Sequence, residues 1–312
     1  MEIDVIIPLY KPGKELFTLL DKLGSQSVPV HQVILLNTEE KYFEQLIYGI
    51  RFLETYQNVK VYHVSKREFD HGGTRRMGVK KSSADVFVMM TQDAMPKDDR
   101  LIEKLVEPLQ GEVAVAYARQ LPREDSTPVE SYTREFNYPA KSRIKSAADL
   151  DSLGIKTFFC SNVCAAYRRE IYEVFSSRRR HTIFNEDMIY AAKAVEAGYS
   201  VAYAADAQVV HSHNYTNGQQ FHRNFDLGVS QAEHPEIFAA YPSESEGKRM
   251  VKDVTVYLRS NHMSAGLPHF YMQCACKYAG YLLGKNYRRL PKKWVLAFTS
   301  NKEYWKQNRK DV

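Results

Sequence analysis

An unbroken apolar run, Val86-Phe87-Val88-Met89-Met90, leads directly into Thr91-Gln92-Asp93-Ala94-Met95-Pro96. It is too short and too β-branched for a helix and predicts a strand buried on both faces. It stops at a carboxylate. In an open α/β sheet ligands bind beyond the carboxyl ends of the strands, so Asp93 falls where the crevice of such a sheet opens, with Pro96 closing the strand behind it. The competing role for Asp93 is as a cap for a helix beginning near Asp98 and Asp99.

The segments before this strand repeat one pattern. Val5 to Pro8 is a short strand followed by Leu16, Leu19, Leu20 and Leu23 at helical spacing; Gln32 to Leu36 is followed by Phe43, Leu46, Ile47, Ile50 and Leu53. Val59 to Val64 leads through Phe69-Asp70-His71-Gly72-Gly73-Thr74-Arg75-Arg76 and a short helical stretch to the central strand. Strands alternating with helices predict a Rossmann-like, mostly parallel sheet flanked by helices. After it come an amphipathic stretch through Leu101, Leu105 and Leu109 and a strand at Val113 to Ala118, where the Rossmann-like half ends. From Gln120 to Thr157 the pattern dissolves into prolines and mixed charge, predicting a functional or mobile loop. Phe158 to Tyr167 is apolar but broken by Ser161-Asn162, and a helix opens at Asn185-Glu186-Asp187-Met188. Strand-like pieces at Val201 to Ala204 and Ala207 to Val210 end at His211-Ser212-His213-Asn214-Tyr215.

Beyond that point the chain reads as helices, with a tail mixing Lys285, Arg288, Arg289, Lys292 and Lys293 with Trp294, Phe298 and Trp305. Its apolar stretches are too short for a bilayer span of about 20 residues. They suit either a peripheral membrane contact or ordinary docking of terminal helices on the core. The net charge of +6 is too mild to argue for nucleic acid. The start, Met-Glu-Ile-Asp-Val-Ile-Ile-Pro, reads as a first strand rather than a signal, so the expected location is cytoplasmic. Cys160, Cys164, Cys274 and Cys276 lack zinc-ligand spacing and are expected as reduced thiols, the first two in the core.

Three features then fall at one sheet edge: Asp93, the Asn185-Glu186-Asp187-Met188 turn and His211. One carboxylate and one imidazole suffice for a divalent metal on a diphosphate, since phosphate oxygens and water supply the other ligands. A second carboxylate away from the metal can deprotonate an acceptor hydroxyl.

Together these motifs resemble the family 2 glycosyltransferases of the GT-A fold, over about residues 3 to 230. Pro8-Leu9-Tyr10 resembles the family's opening Pro-x-Tyr, Thr91-Gln92-Asp93 its Asp-x-Asp metal motif, and Asn185-Glu186-Asp187 its Glu-Asp motif. The stretches 69–75, 91–94 and 211–215 resemble, more closely, the bacterial rhamnosyltransferases of that family. The resemblance implies inverting transfer of L-rhamnose from dTDP-L-rhamnose to a hydroxyl of a cell-surface polysaccharide or lipid-linked glycan. It implies that Pro8, Tyr10, Asn37 and Thr38 hold the nucleobase and ribose, and that the Gly72-Gly73 turn lets backbone approach the donor. Arg75 and Gln92 would join the donor site, Asp93 and His211 would hold Mg2+ or Mn2+, and Asp187 would be the general base, kept ionised by its helix N-terminus. The implied organisation is a glycosyltransferase domain over 1–230, with a nucleotide-sugar half to about 118 and an acceptor half from 119, then a helical C-terminal extension over 231–312.

The chain departs from the family pattern at Gln92, where an acid often stands, and at Asn37, where many relatives carry aspartate. A third departure is Ser176 to His181, whose Arg178-Arg179-Arg180 run replaces a small apolar turn and reads as an acceptor-facing cluster, a solvated charge run or an error in the sequence. His213 and His222 read as hydrogen-bonded structural histidines. Two other functions stay open: a transferase using a UDP- or GDP-sugar, and a non-catalytic nucleotide or nucleic-acid binding module.

Overall fold

A computed structural model describes residues 1–176, 182–241 and 244–307. The Arg178-Arg179-Arg180 run lies outside the described residues. The chain forms two compact units. One comprises Met1–Leu121, Glu186–His211 and the described part of 138–180; the other comprises Pro122–Asn137 and the described parts of 181–185 and 212–312.

The first unit is built on one sheet. Its strands are β1 (Ile3–Tyr10), β2 (Gln32–Thr38), β3 (Val59–Val64), β4 (Val86–Met90), β5 (Met95–Pro96), β6 (Val113–Leu121), β7 (Arg143–Lys145), β8 (Cys164–Arg168) and β9 (Ser200–Val210), in the order β3-β2-β1-β4-β8-β6-β9-β5 with β7 against β9. The parallel character belongs to the first half, β3-β2-β1-β4. In the second half β8 runs antiparallel to both β4 and β6, and β5 and β7 run antiparallel to β9, so the sheet is mixed. The apolar run at β4 is buried throughout, as its composition requires.

Leu16, Leu19, Leu20 and Leu23, on one face of the Glu15–Gly24 helix, pack with Val5, Ile7 and Leu9 of β1. On the other side the His71–Lys81 helix comes close because Gly78 has no side chain: a Cβ there would collide with Ile6 and Leu36. Glycine in a helix interior costs about 1 kcal/mol relative to alanine, and here the close seat it permits sets the position of Arg75 one turn earlier.

Three expectations are corrected. Gly72-Gly73 is no turn but the first turn of that helix, nucleated by Asp70, whose carboxylate accepts the Gly73 N–H at 2.7 Å. The stretch from 120 to 157 is no plain loop: β6 continues to Leu121, and a helix at Pro128–Asn137, β7 and short helical turns follow. The pieces at 201–204 and 207–210 are one strand, β9, whose register against β6 shifts between the Ala118/Ala204 and Arg119/Gln208 pairs, leaving Asp206 exposed.

In the second unit the Asn217–Glu233 helix lies against the Leu267–Lys285 helix. Gly228, Gly280 and Gly284 make this contact, since a Cβ at any of them would run into facing backbone, at Tyr281, Phe221 and Phe225 respectively. Backbones this close exchange dispersion and Cα–H···O contacts along their length. That is why 212–230 belongs to the helical unit and the compact units do not divide at residue 230. Among the described residues no helix is long and apolar enough to cross a membrane.

Candidate active site

Beyond Ile6 the β1–β4 pairing stops, and Pro8, which has no N–H to donate, sits past the last paired residue. The two strands separate there, which makes the crevice. Gln92 clips their ends together: its Oε1 accepts the Tyr10 N–H at 2.9 Å and its Nε2 donates to the Tyr10 carbonyl at 3.1 Å. A carboxylate at this position could accept but not donate. Gln92 therefore departs from the acidic pattern for a structural reason, and its amide is occupied by backbone.

Asp93 follows, with its side chain 37% exposed, and its Oδ1 lies 3.6 Å from Nε2 of His211, itself buried at the end of β9. The separation is too long for a hydrogen bond. Capping is excluded as its role, because the next helix starts at Leu101. His211 is held from behind. Gln120 Nε2 donates to the Tyr138 hydroxyl at 2.6 Å and to Ser161 Oγ at 3.0 Å, which turns Gln120 Oε1 toward His211 Nδ1 at 3.0 Å. Nδ1 then donates to Gln120, which leaves Nε2 as the ring nitrogen that faces Asp93. One carboxylate and one imidazole nitrogen at this spacing suit a divalent cation whose other ligands are phosphate oxygens and water.

The Glu186–Glu196 helix opens with two acids in different surroundings. Glu186 Oε1 receives Arg75 Nη1 at 2.8 Å and Asn162 Nδ2 at 3.3 Å. Burial would raise the Glu186 pKa, but the Arg75 guanidinium, with His71 behind it, holds it below the usual range. Asp187 has no such cation against it. Its carboxylate accepts only backbone N–H groups in this constellation, from Asn162 at 2.9 Å and Met188 at 2.9 Å. Burial, and next the charge of Glu186, push its pKa up to about 6. The expected helix-dipole control of Asp187 is thus outweighed by desolvation and a like charge.

Asn162 joins these groups: its N–H holds Asp187, its Nδ2 holds Glu186, and its Oδ1 accepts from the Tyr167 hydroxyl at 2.7 Å. Sequence reasoning passed over Asn162 and Gln120. The only trace of the first was a polar pair, Ser161-Asn162, breaking an apolar run. Arg75, expected beside the donor, gives its Nη1 to Glu186 and the His71 carbonyl, while its Nε is buried without a hydrogen-bond partner.

At the far end of β2, Asn37 is fully buried, with its Nδ2 on His63 Nδ1 at 3.0 Å. Asn37 Oδ1 and Thr38 Oγ1 are buried without a hydrogen-bond partner. Tyr10 is 41% exposed, edge-on to Tyr42 at 5.9 Å, with Lys11 against both rings. His222 is structural, its Nδ1 on the Phe298 carbonyl. All four cysteines are free, and burial pushes the thiols of Cys160 and Cys164 up to about 12, so both stay inert.

The α/β unit, with a carboxylate and an imidazole at its strand ends and a raised carboxylate at a helix start, has a GT-A-like fold. The fold is similar to that of a mannosyltransferase from Pyrobaculum calidifontis in complex with GDP-Man and Mn2+ (TM-score 0.60, 14% identity, 91% of this chain and 87% of that one). It is also similar to S. aureus TarS 1-349 (TM-score 0.52, 14% identity, 93% and 92%). Residues 4–175 match the model of glycosyl transferase family 2. The O-antigen chain rhamnosyltransferase RfbN of Salmonella typhimurium is 38% identical over 311 residues, 98% of this chain and 96% of the relative. WbaN of Salmonella anatum, also an O-antigen chain rhamnosyltransferase, is 39% identical over 254 residues, 80% of each chain. The chain belongs to the family 2 glycosyltransferases.

Proposed function

We propose that this glycosyltransferase moves L-rhamnose from dTDP-L-rhamnose, with inversion, to a hydroxyl of a lipid-linked glycan or surface-polysaccharide precursor. Similarity to two rhamnosyltransferases over most of the chain supports the sugar. The observation that carries the reaction is the contrast between the two acids opening one helix, Glu186 neutralised by Arg75 and Asp187 raised to about 6.

Asp187 takes the acceptor proton. A base with a pKa just below neutral is ionised at pH 7 yet basic enough to accept a proton in the transition state. Asn162 fixes its direction, and Glu186, held by Arg75, keeps it from acquiring a cationic partner. Asp93 and His211 would hold Mg2+ or Mn2+, which supplies charge stabilisation for the departing diphosphate. Tyr10 offers its ring to the nucleotide, and the unpaired Asn37 Oδ1 and Thr38 Oγ1 offer polar atoms at the same strand ends, with Pro8 shaping the wall. Gly72 and Gly73 would let the donor approach the backbone of the first helical turn, although the Gly73 N–H is taken by Asp70.

We place the enzyme in the cytoplasm at the inner membrane face, with Lys292, Lys293 and Trp294, which is 49% exposed, as the peripheral contact. Phe298 is not part of it, because its ring packs on Phe221 and Phe225.

The test is release of nucleoside diphosphate from a panel of dTDP-, UDP- and GDP-sugars with rhamnose-terminated and other lipid-linked acceptors, with and without EDTA. Turnover confined to dTDP-L-rhamnose and lost in EDTA is expected. Preference for a UDP- or GDP-sugar would replace the donor, and full turnover in EDTA would remove the metal.

A further inference from the structure

The helical unit contains a cavity of about 770 Å³. It lies between the start of the Pro128–Asn137 helix, the 213–217 segment, the end of the Glu244–Ser260 helix and the first turns of the Leu267–Lys285 helix. That is within the roughly 300–1,000 Å³ of small-molecule sites. None of the residues already assigned to the reaction lines it.

Its wall is amphipathic. Val129, Leu258 and Phe270 give apolar surface, while Asn217, Gln273 and Lys277 give polar groups. One of these is unsatisfied: Asn217 Oδ1 is buried with no hydrogen-bond partner. Lys277, half-buried on the same wall, brings an ammonium that feels the charge of Glu130. Glu130, the acid on the same wall, is engaged by Arg134 at 2.8 Å. Burial lowers the Lys277 pKa, only partly offset by Cys274 and Glu130.

A buried acceptor without a donor costs free energy. A purely apolar occupant such as a lipid chain would leave Asn217 Oδ1 unmet and strip water from the Lys277 ammonium. A sugar serves both, since each hydroxyl donates and accepts while the ring presents C–H faces to Phe270 and Leu258. We infer that this cavity is a saccharide-recognition site that reads the acceptor glycan through Asn217 and Lys277. The ligand class rests on the transferase reading; the cavity and the unmet Asn217 acceptor do not.

The experiment uses the full chain and three variants. Lys277→Met and Asn217→Ala remove the polar groups; Ala265→Trp blocks the cavity from an exposed lining position, where folding is least at risk. Binding is read by saturation-transfer NMR with neutral disaccharide and trisaccharide methyl glycosides of galactose, glucose, mannose and rhamnose. Transfer kinetics are read beside hydrolysis of the sugar nucleotide to water, which needs no acceptor. We expect saccharide signals in the wild type that vanish in Ala265→Trp, and an acceptor KM raised about tenfold or more in each variant with donor hydrolysis unchanged. The inference is overturned if all three variants keep the wild-type acceptor KM, or if the saccharide signal survives in Ala265→Trp. It is also overturned if a polyprenyl phosphate without sugar, and no saccharide, binds in the wild type. Should no sugar nucleotide turn over, the NMR arm still decides the cavity while the transferase reading alone fails.

Discussion

Asp93 and Asp187 stand at strand and helix ends of the same α/β unit, yet their surroundings are opposite. Asp93 is more than a third exposed and faces an imidazole at 3.6 Å, whereas Asp187 is partly buried and held by backbone N–H groups beside another acid. A ligand to a cation must be reachable and ionised, which solvent favours. A base must give up some solvation so that its pKa approaches the working pH. One residue type would serve both proposed roles because burial and neighbours decide its chemistry.

The sharpest way to break this comparison is Asp187→Asn, which keeps size and removes basicity. Transfer should fall by about 10²-fold to 10⁴-fold with donor affinity nearly unchanged, measured as kcat and as dTDP-L-rhamnose binding. A variant within a few fold of wild type, with Glu186→Gln inactive, would exchange the roles of the two acids. Asp93→Ala should lower transfer by about 10²-fold to 10³-fold and, unlike Asp187→Asn, abolish the metal dependence of donor binding, seen by titration with and without Mn2+. Equal donor binding in both titrations of the wild type would erase the distinction.

Gln120→Leu tests whether the ligand side depends on its supporting hydrogen bonds. Losing the Nδ1 partner frees the His211 tautomer, and metal affinity should weaken about 10-fold to 100-fold with little change in donor affinity at saturating metal. The smallest effect belongs to Glu186→Gln. Asp187 protonates as pH falls through about 6, so wild-type transfer should fall along an acid limb there. Removing the neighbouring negative charge lowers the Asp187 pKa, and Arg75, freed of its partner, pulls the same way. The acid limb of the kcat profile should therefore move to lower pH; a shift to higher pH would mean that Glu186 does not set the Asp187 pKa.

Much of the α/β unit was legible because local pattern and tertiary role agree. The run ending at Asp93 became β4, and the leucines at 16, 19, 20 and 23 became the buried face of a helix. Gly72-Gly73 misled for a physical reason. A glycine pair reads as a turn in isolation, but Asp70 caps the chain and the helix begins there. The split of β9 misled because a register shift breaks apolar alternation without ending the strand.

By itself the sequence determined which residue types stand at the strand ends, since periodicity and strand-stop signals depend only on near neighbours. It could not decide what those residues do. Arg75 meets Glu186 across 111 positions, Gln120 meets His211 across 91, and Gln92 meets Tyr10 across 82. Only folding brings such partners together. Because pKa, hydrogen-bond role and amide orientation follow from the partners and solvent actually present, the tertiary structure alone gave Asp187 surroundings unlike those of Glu186, and Asp93 surroundings unlike those of Gln92.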